Sequence, residues 1–325
     1  MHCLVIGSSV FDIFSKLDSP QKASISNGTI TFHLGEKVPV DVNHQALGGN
    51  GMDVSVGLKR LGVPVTFYTY LGSDSLSRDI EESLSKEGVE AIFERDTLAS
   101  SLSFILDVTD DRIIFSHHPI RNHNFTPPKT TDFDYIFLSS IGERWENAYK
   151  KVLDFATHSG TPIVFSPGSK QLNSPNDIFF SVLHSSEMLL INTEEARIIT
   201  SSFGDNVTNI SSLAKNLAKL GPKIISLTDG GGGAYAYESS ELLHIPSFSP
   251  THAAEKTGAG DAYASGFLAG YMHTKEVAEA MRWGGVNAHM TMQKVGAQSG
   301  LVTQEELLNT LQKHDTFIAT PANRD

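Results

Sequence analysis

Residues 257–271 constrain the chain most. Thr257-Gly258-Ala259-Gly260-Asp261 is a turn of small residues closed by a carboxylate, and Ala262 to Tyr271 follow as an almost unbroken apolar run. Such a run suits a helix buried on most sides, because no polar strip is left for water. A glycine-rich turn feeding a helix N-terminus is an anion site: the first amides lack intrahelical acceptors and the helix dipole adds partial positive charge. Asp261 does not belong in a plain phosphate cradle, which it would repel. A helix-dipole role would account for an acid there, and so would a metal or a proton transfer. The turn is neither a dinucleotide fingerprint, because Tyr263 stands where the third glycine belongs, nor a P-loop, because the chain has no Gly-Lys pair. An anion hole containing a carboxylate suits phosphoryl transfer to a hydroxyl.

The rest of the chain supplies an α/β rhythm. Strands are expected at His2–Ile6, Val65–Tyr70, Tyr135–Leu138, Ile163–Phe165, Met188–Ile191 and Ile224–Leu227. Helical stretches fall near 74–87, 144–158, 175–184, 193–201 and 207–219. That alternation predicts a mainly parallel sheet with helices on both faces. Gly48-Gly49-Asn50-Gly51 opens an amphipathic helix through Val54 and Leu58 to Leu61. Asp12 falls in the turn after the first strand. Two regions, about 14–47 and 101–120, alternate like half-exposed antiparallel strands, the second as a hairpin across Thr109-Asp110-Asp111, and read as a small β flap inserted in one domain spanning 1–325. Gly230 to Gly233 form a flexible turn before an outer strand at Ala234–Tyr237. A further helix carries Val277, Met281, Ala288 and Met292, and the tail after Phe317 is expected to fray.

Composition excludes some functions. With 325 residues, 40% hydrophobic and 19% charged, the chain is globular, and a net charge of −12 argues against a nucleic-acid partner. No stretch approaches a membrane helix, the single Cys3 sits in an apolar strand, and Met1-His2 has no basic leader, so the cytoplasm is the expected compartment. His117 and His118, adjacent on a strand, point to opposite faces and make a poor metal pair. Lys170 reads as a solvated loop charge.

The two glycine clusters, their separation, the rhythm between them and Asn192-Thr193-Glu194-Glu195 together resemble the ribokinase-like (PfkB) family of sugar and nucleoside kinases. The resemblance covers nearly the whole chain and implies a three-layer α/β domain with a small β-sheet lid. It implies Asp261 as catalytic base, Gly258, Ala259 and Gly260 as anion hole, and Asn192 with Glu195 as the phosphate and magnesium site. Thr228 and Gly230 would meet the nucleotide, and Asn287 would close its adenine pocket. Asp12, Gly48, Gly49 and Asp53 correspond to substrate contacts. ATP and Mg²⁺ are the implied cofactors. Glu255, where the family usually has Asp, leaves dependence on a monovalent cation open, and Asp53, where it usually has Asn, bears on the substrate. The expected activity is transfer to a hydroxymethyl group of a small neutral sugar. The alternatives are an adenosine-like nucleoside kinase, for which Phe32, Phe104 and Phe115 could line a base pocket, and a non-catalytic, metabolite-binding regulator. Exposed flap edges would allow a homodimer.

Overall fold

The computed structural model describes every residue except 19–22, 27–28, 109–110, 131, 205–206, 250–256 and 323–325. Glu255 and two residues of the hairpin turn therefore lie outside the described residues.

A ten-stranded sheet forms the centre. From one edge to the other its strands are Thr320–Pro321, Glu241–Ile245, Ala234–Glu238, Ile224–Thr228, Ser186–Asn192, Ile163–Ser166, Tyr135–Ser139, Cys3–Ile6, Val65–Leu71 and Glu90–Arg95. Pairing is parallel from Ile224–Thr228 to Glu90–Arg95, and the three strands beyond Ile224–Thr228 add antiparallel. The first strand shows why the sheet needs two cover layers. All four of its residues are buried, and their period of two sends Cys3 and Val5 into one core and Leu4 and Ile6 into the other. The first core takes Met52 and Leu58 of the helix Asn50–Arg60, Phe267 and Leu268 of Ala259–Thr274, and Trp283 of Val277–Thr291. The second takes Tyr149, Phe179 and Leu217 from the helices Glu146–Ser159, Asp177–Ser185 and Ile210–Lys219.

The expected flap is a separate four-stranded sheet in the order Val40–Gly48, Val10–Leu17, Leu102–Val108, Asp111–His117. It differs from expectation at its start, because Asp12 lies in mid-strand and not in a turn. Thr29–Phe32 stays outside this sheet and pairs with Ala23–Ser26 as a two-stranded ribbon. The helix Asn50–Arg60 is buried all round from Gly51 to Leu58 and is not amphipathic there, since it is wedged between the sheet and the helix Ala259–Thr274. The tail is ordered beyond Phe317: Pro321 and Thr320 pair with Leu243 and His244 as an edge strand. The strands Glu90–Arg95 and Glu241–Ile245 and the helix Gln304–Lys313 complete the fold without having been expected.

Candidate active site

The carboxyl ends of parallel strands are where open α/β sheets bind ligands, and the expected residues collect there in two groups. The first group shares a cleft of about 380 Å³ between the main sheet and the small one. Asp12, Gly49, Asp53, Gly258 and Asp261 all line it, with Ser103 and Ile114 of the small sheet forming the opposite wall. Gly48 is buried just beneath. A Cβ there would stand 2.8 Å from Asp12 Oδ2, so only glycine lets that carboxylate approach.

Asp261 occupies the first turn of the helix Ala259–Thr274, whose N-cap Gly258 has φ 78°. A Cβ on Gly258 would lie 2.5 Å from Ala297 Cβ, so both its torsion and its surroundings call for glycine. The first in-helix bond runs from Ala262 N to Gly258 O at 2.8 Å, which leaves the amides of 259–261 ahead of the ladder. A Cβ on Gly260 would meet nothing within 4 Å. The space in front of this turn is thus open to an incoming anion.

Asp261 accepts from Asn50 Nδ2 at 3.1 Å to Oδ1 and 3.3 Å to Oδ2. Burial pushes its carboxyl up to about 7, Asn50 opposes the shift and the charge of Glu195 adds to it. Burial also pushes Asp12 up to about 6, against a hydrogen bond from Ser103. Asp53 is 3% exposed and accepts from Gln298 Nε2 at 2.8 Å. Burial first, then the charge of Asp261, hold Asp53 well above the carboxylate range.

The second group lies at the ends of two neighbouring strands of the main sheet, near enough for the charge of Glu195 to act on Asp261. Asn192 and Thr228 are register partners at the ends of adjacent strands, and Thr193 Oγ1 donates to Asp229 Oδ1 at 2.8 Å. Asn192 and Glu195 form a reciprocal cap on the helix Thr193–Ser201: Asn192 Oδ1 accepts from Glu195 N at 2.8 Å, and Glu195 Oε2 accepts from Asn192 N at 2.9 Å. Gly230 sits in a tight turn, closed by Gly233 N to Gly230 O at 3.1 Å, that joins two antiparallel strands. A Cβ on Gly230 or Gly231 would meet nothing within 4 Å, so this turn too faces open space.

Asn287 is the correction. It is fully buried; its Nδ2 donates to Ala262 O at 2.8 Å and Ser265 Oγ at 3.2 Å, and its Oδ1 accepts from Val302 N at 3.2 Å. These bonds tie the helices Ala259–Thr274 and Val277–Thr291 together, and the side chain exposes no surface to an adenine. Asn287→Ala is expected to lower stability by roughly 2–4 kcal/mol, the range for breaking a buried hydrogen-bond network. The KM for nucleotide should stay unchanged, as chemical denaturation and initial-rate kinetics would show. An intact stability with a raised nucleotide KM would restore the adenine role.

Lys170 is about half exposed, in keeping with a solvated charge. It lines the cleft and its Nζ lies 2.7 Å from Glu143 Oε1. Arg121, also lining the cleft, is buried and paired with Asp96. His123, stacked edge-on to Tyr70 at 4.4 Å, is driven by burial down to about 4 and is neutral. Sequence reading missed Asn50, Gln298, Ser103 and His123. Asn50 stands inside the Gly48–Gly51 cluster and could have been found from that position alone. The other three reach the site through long-range packing. Among the described residues no group of three or more His, Cys, Asp or Glu could hold a metal ion, and no helix is long and apolar enough to cross a membrane.

Known proteins resemble the chain in sequence and in fold. The model of the pfkB family carbohydrate kinases matches residues 22–304. The 5-dehydro-2-deoxygluconokinase of Geobacillus kaustophilus is 22% identical over 286 residues, 82% of this chain and 85% of that protein. The ribokinase of Haemophilus influenzae is 24% identical over 281 residues, 83% of this chain and 89% of that one. The structure of Arabidopsis thaliana ribokinase complexed with ribose and ATP superposes with a TM-score of 0.78 at 18% identity, covering 95% of this chain and 98% of that one. With the family matched over most of its length on a ribokinase fold, the chain belongs to the PfkB carbohydrate kinases and is a kinase of sugars or nucleosides.

Proposed function

We propose that the protein transfers the γ-phosphoryl group of ATP to a hydroxymethyl group of a small neutral sugar. The observation that carries this reading is the position of Asp261, a carboxylate at the start of a glycine-capped helix and at the edge of a sugar-sized cleft. Ionised, Asp261 accepts the proton of the attacking hydroxyl as the new P–O bond forms, and the amides of 259–261 stabilise charge on the migrating group. Asp12 and Asp53 hold the hydroxyls of the sugar, and the small sheet closes over it as a lid that excludes water. Transfer of this kind needs positioning and charge stabilisation more than covalent help.

Asn192, Glu195, Thr228 and Gly230 would hold the nucleotide side. The capping bond uses only Oε2 of Glu195, so its other oxygen fits a hard cation. Mg²⁺ keeps most of its waters and asks few carboxylates of a protein. When bound at Glu195, it would supply positive charge to offset that of the phosphates. Glu195→Gln should preserve the cap, since Gln serves in the same motif, and so leave thermal stability nearly fixed. The Mg²⁺ concentration for half-maximal activity should rise. An unchanged magnesium curve would reduce Glu195 to a helix cap.

Neutrality of the sugar is supported by the charges around the cleft. Three acids line it; of the Lys and Arg there, Arg121 is buried against Asp96, and Lys170 pairs with Glu143 at the exposed rim. A sugar acid would meet net negative charge, although relatives include enzymes named for 5-dehydro-2-deoxygluconate, which is one. Neutral pentoses and hexoses should therefore give higher kcat/KM than sugar acids, sugar phosphates or nucleosides when all are assayed with ATP and Mg²⁺. A sugar acid at the top of that ranking would overturn the neutral assignment. The half-exposed Val42 and Phe115 on the small sheet favour pairing of two copies through the lid, which light scattering would detect.

A further inference from the structure

The three acids of the cleft face one another with only neutral donors between them. A point at the missing Cβ of Gly48 lies 2.8 Å from Asp12 Oδ2 and 3.6 Å from Asp53 Oδ2, so these two oxygens converge on one spot. The charged groups acting on Asp53 are Asp261, from the helix Ala259–Thr274, and Asp12, from the strand Val10–Leu17. Its remaining partners are neutral: the Gln298 amide and the Gly49 backbone. Lys170 and Arg121 line the same cleft but are bound to Glu143 and Asp96. Carboxylates crowded in a buried site do not all ionise; the set retains a proton. Asp261 and Asp53 each stand in the first turn of a helix and each accept hydrogen bonds, so the helix dipole does not separate them; burial and neighbouring charge do. Asp53 is the more deeply buried, at 3% exposure, with like charge on two sides.

We propose that Asp53 meets the sugar as a neutral carboxylic acid that donates a hydrogen bond to a substrate hydroxyl oxygen, while Asp261 keeps the negative charge the reaction needs. The inference rests on the sugar-kinase reading above. It makes Asp53 a specificity-determining residue: a protonated acid both donates and accepts, whereas a carboxylate only accepts. The sugar hydroxyl that faces Asp53 is then an acceptor there, and the cleft discriminates by donor–acceptor pattern as well as by charge. Loss of the proton removes the donor and places a second charge beside the hydroxyl.

Two measurements test this. Carboxyl-carbon NMR on protein labelled with ¹³C-aspartate follows Asp53 directly, its resonance identified by absence in Asp53→Asn or through backbone correlations in the wild type. The expected result is an Asp53 still protonated at about pH 7 that gives up its proton at a higher pH than Asp261 does. A carboxyl that titrates in the ordinary range near 4 would overturn the proposal. This experiment needs no substrate, so it decides the matter even if the sugar-kinase reading fails. With the best sugar in hand, the wild-type KM should rise by about tenfold per pH unit above the pKa of Asp53, and Asp53→Asn, which retains a donor, should show no such rise. The same alkaline rise in Asp53→Asn would assign it to another group and overturn the role given to Asp53.

Discussion

Asp261→Asn is expected to lower kcat by roughly 10²–10⁴-fold, the contribution of a positioned general base. Asn keeps the size and the contact with Asn50 but cannot take a proton. Nucleotide affinity should hold or improve, because a charge that repels phosphate is gone. The pH profile gives a second signature. Burial raises the carboxyl of Asp261 to about 7, so the free enzyme loses its base as pH falls through that value. The kcat/KM should fall on the acid side of about pH 7 in the wild type, and that limb should vanish from the residual activity of the variant. Near-normal turnover in a folded Asn variant would remove Asp261 from the chemistry.

Gly49→Ala is expected to unfold or severely weaken the protein. Gly49 has φ 101°, a region that residues with a Cβ rarely occupy, and an added Cβ would stand 2.7 Å from Ser8 O and 2.9 Å from Ser9 Cα. Both obstacles are backbone at the end of the first strand, so neither can swing aside. Strain and overpacking together predict a loss of about 2–5 kcal/mol, read by denaturant titration. Whatever fold remains would have Asn50 and Asp53 displaced, because the same turn starts their helix. Gly260→Ala is the informative contrast. Its Cβ meets nothing in the protein, so stability should stay within about 0.5 kcal/mol of wild type while the methyl group intrudes on the anion hole and turnover drops. Equal turnover in Gly260→Ala would mean that the phosphoryl group does not pass in front of this turn.

Much of the architecture could be read before any coordinates, for identifiable reasons. Strands buried on both faces, such as Leu4–Ile6 and Met188–Ile191, are continuous apolar runs that need no partner to be recognised. The helix after Gly258 announces itself by its cap and its lack of a polar strip. The strand Val10–Leu17 was hidden because its buried positions include the polar Asp12 and Ser15, and because burial switches from the face of Val10, Asp12 and Phe14 to that of Ser15 and Leu17, which blurs the period of two. The candidate site was legible where its residues are close in sequence, as in 257–261, 48–53 and 192–195. It was not legible where function depends on partners far along the chain. Gln298 reaches Asp53 across 245 positions, and no local pattern marks it. Asn287 shows the opposite error: a polar residue at a promising position was read as a ligand contact, yet its bonds are internal. A buried amide has the same appearance in sequence whether it holds a nucleotide or two helices.

In the proposed reaction phosphate leaves ATP and arrives on a sugar hydroxymethyl group, with Asp261 as the base. The most direct measurement incubates the purified protein with ATP, Mg²⁺ and a mixture of neutral pentoses and hexoses and follows the phosphorus and sugar carbons by NMR. A new phosphomonoester on a primary carbinol carbon is expected, with one ADP for each ester formed, and Asp261→Asn should form both roughly 10²–10⁴-fold more slowly. Sugar left unmodified while ATP persists, or ADP released with inorganic phosphate alone, would contradict it.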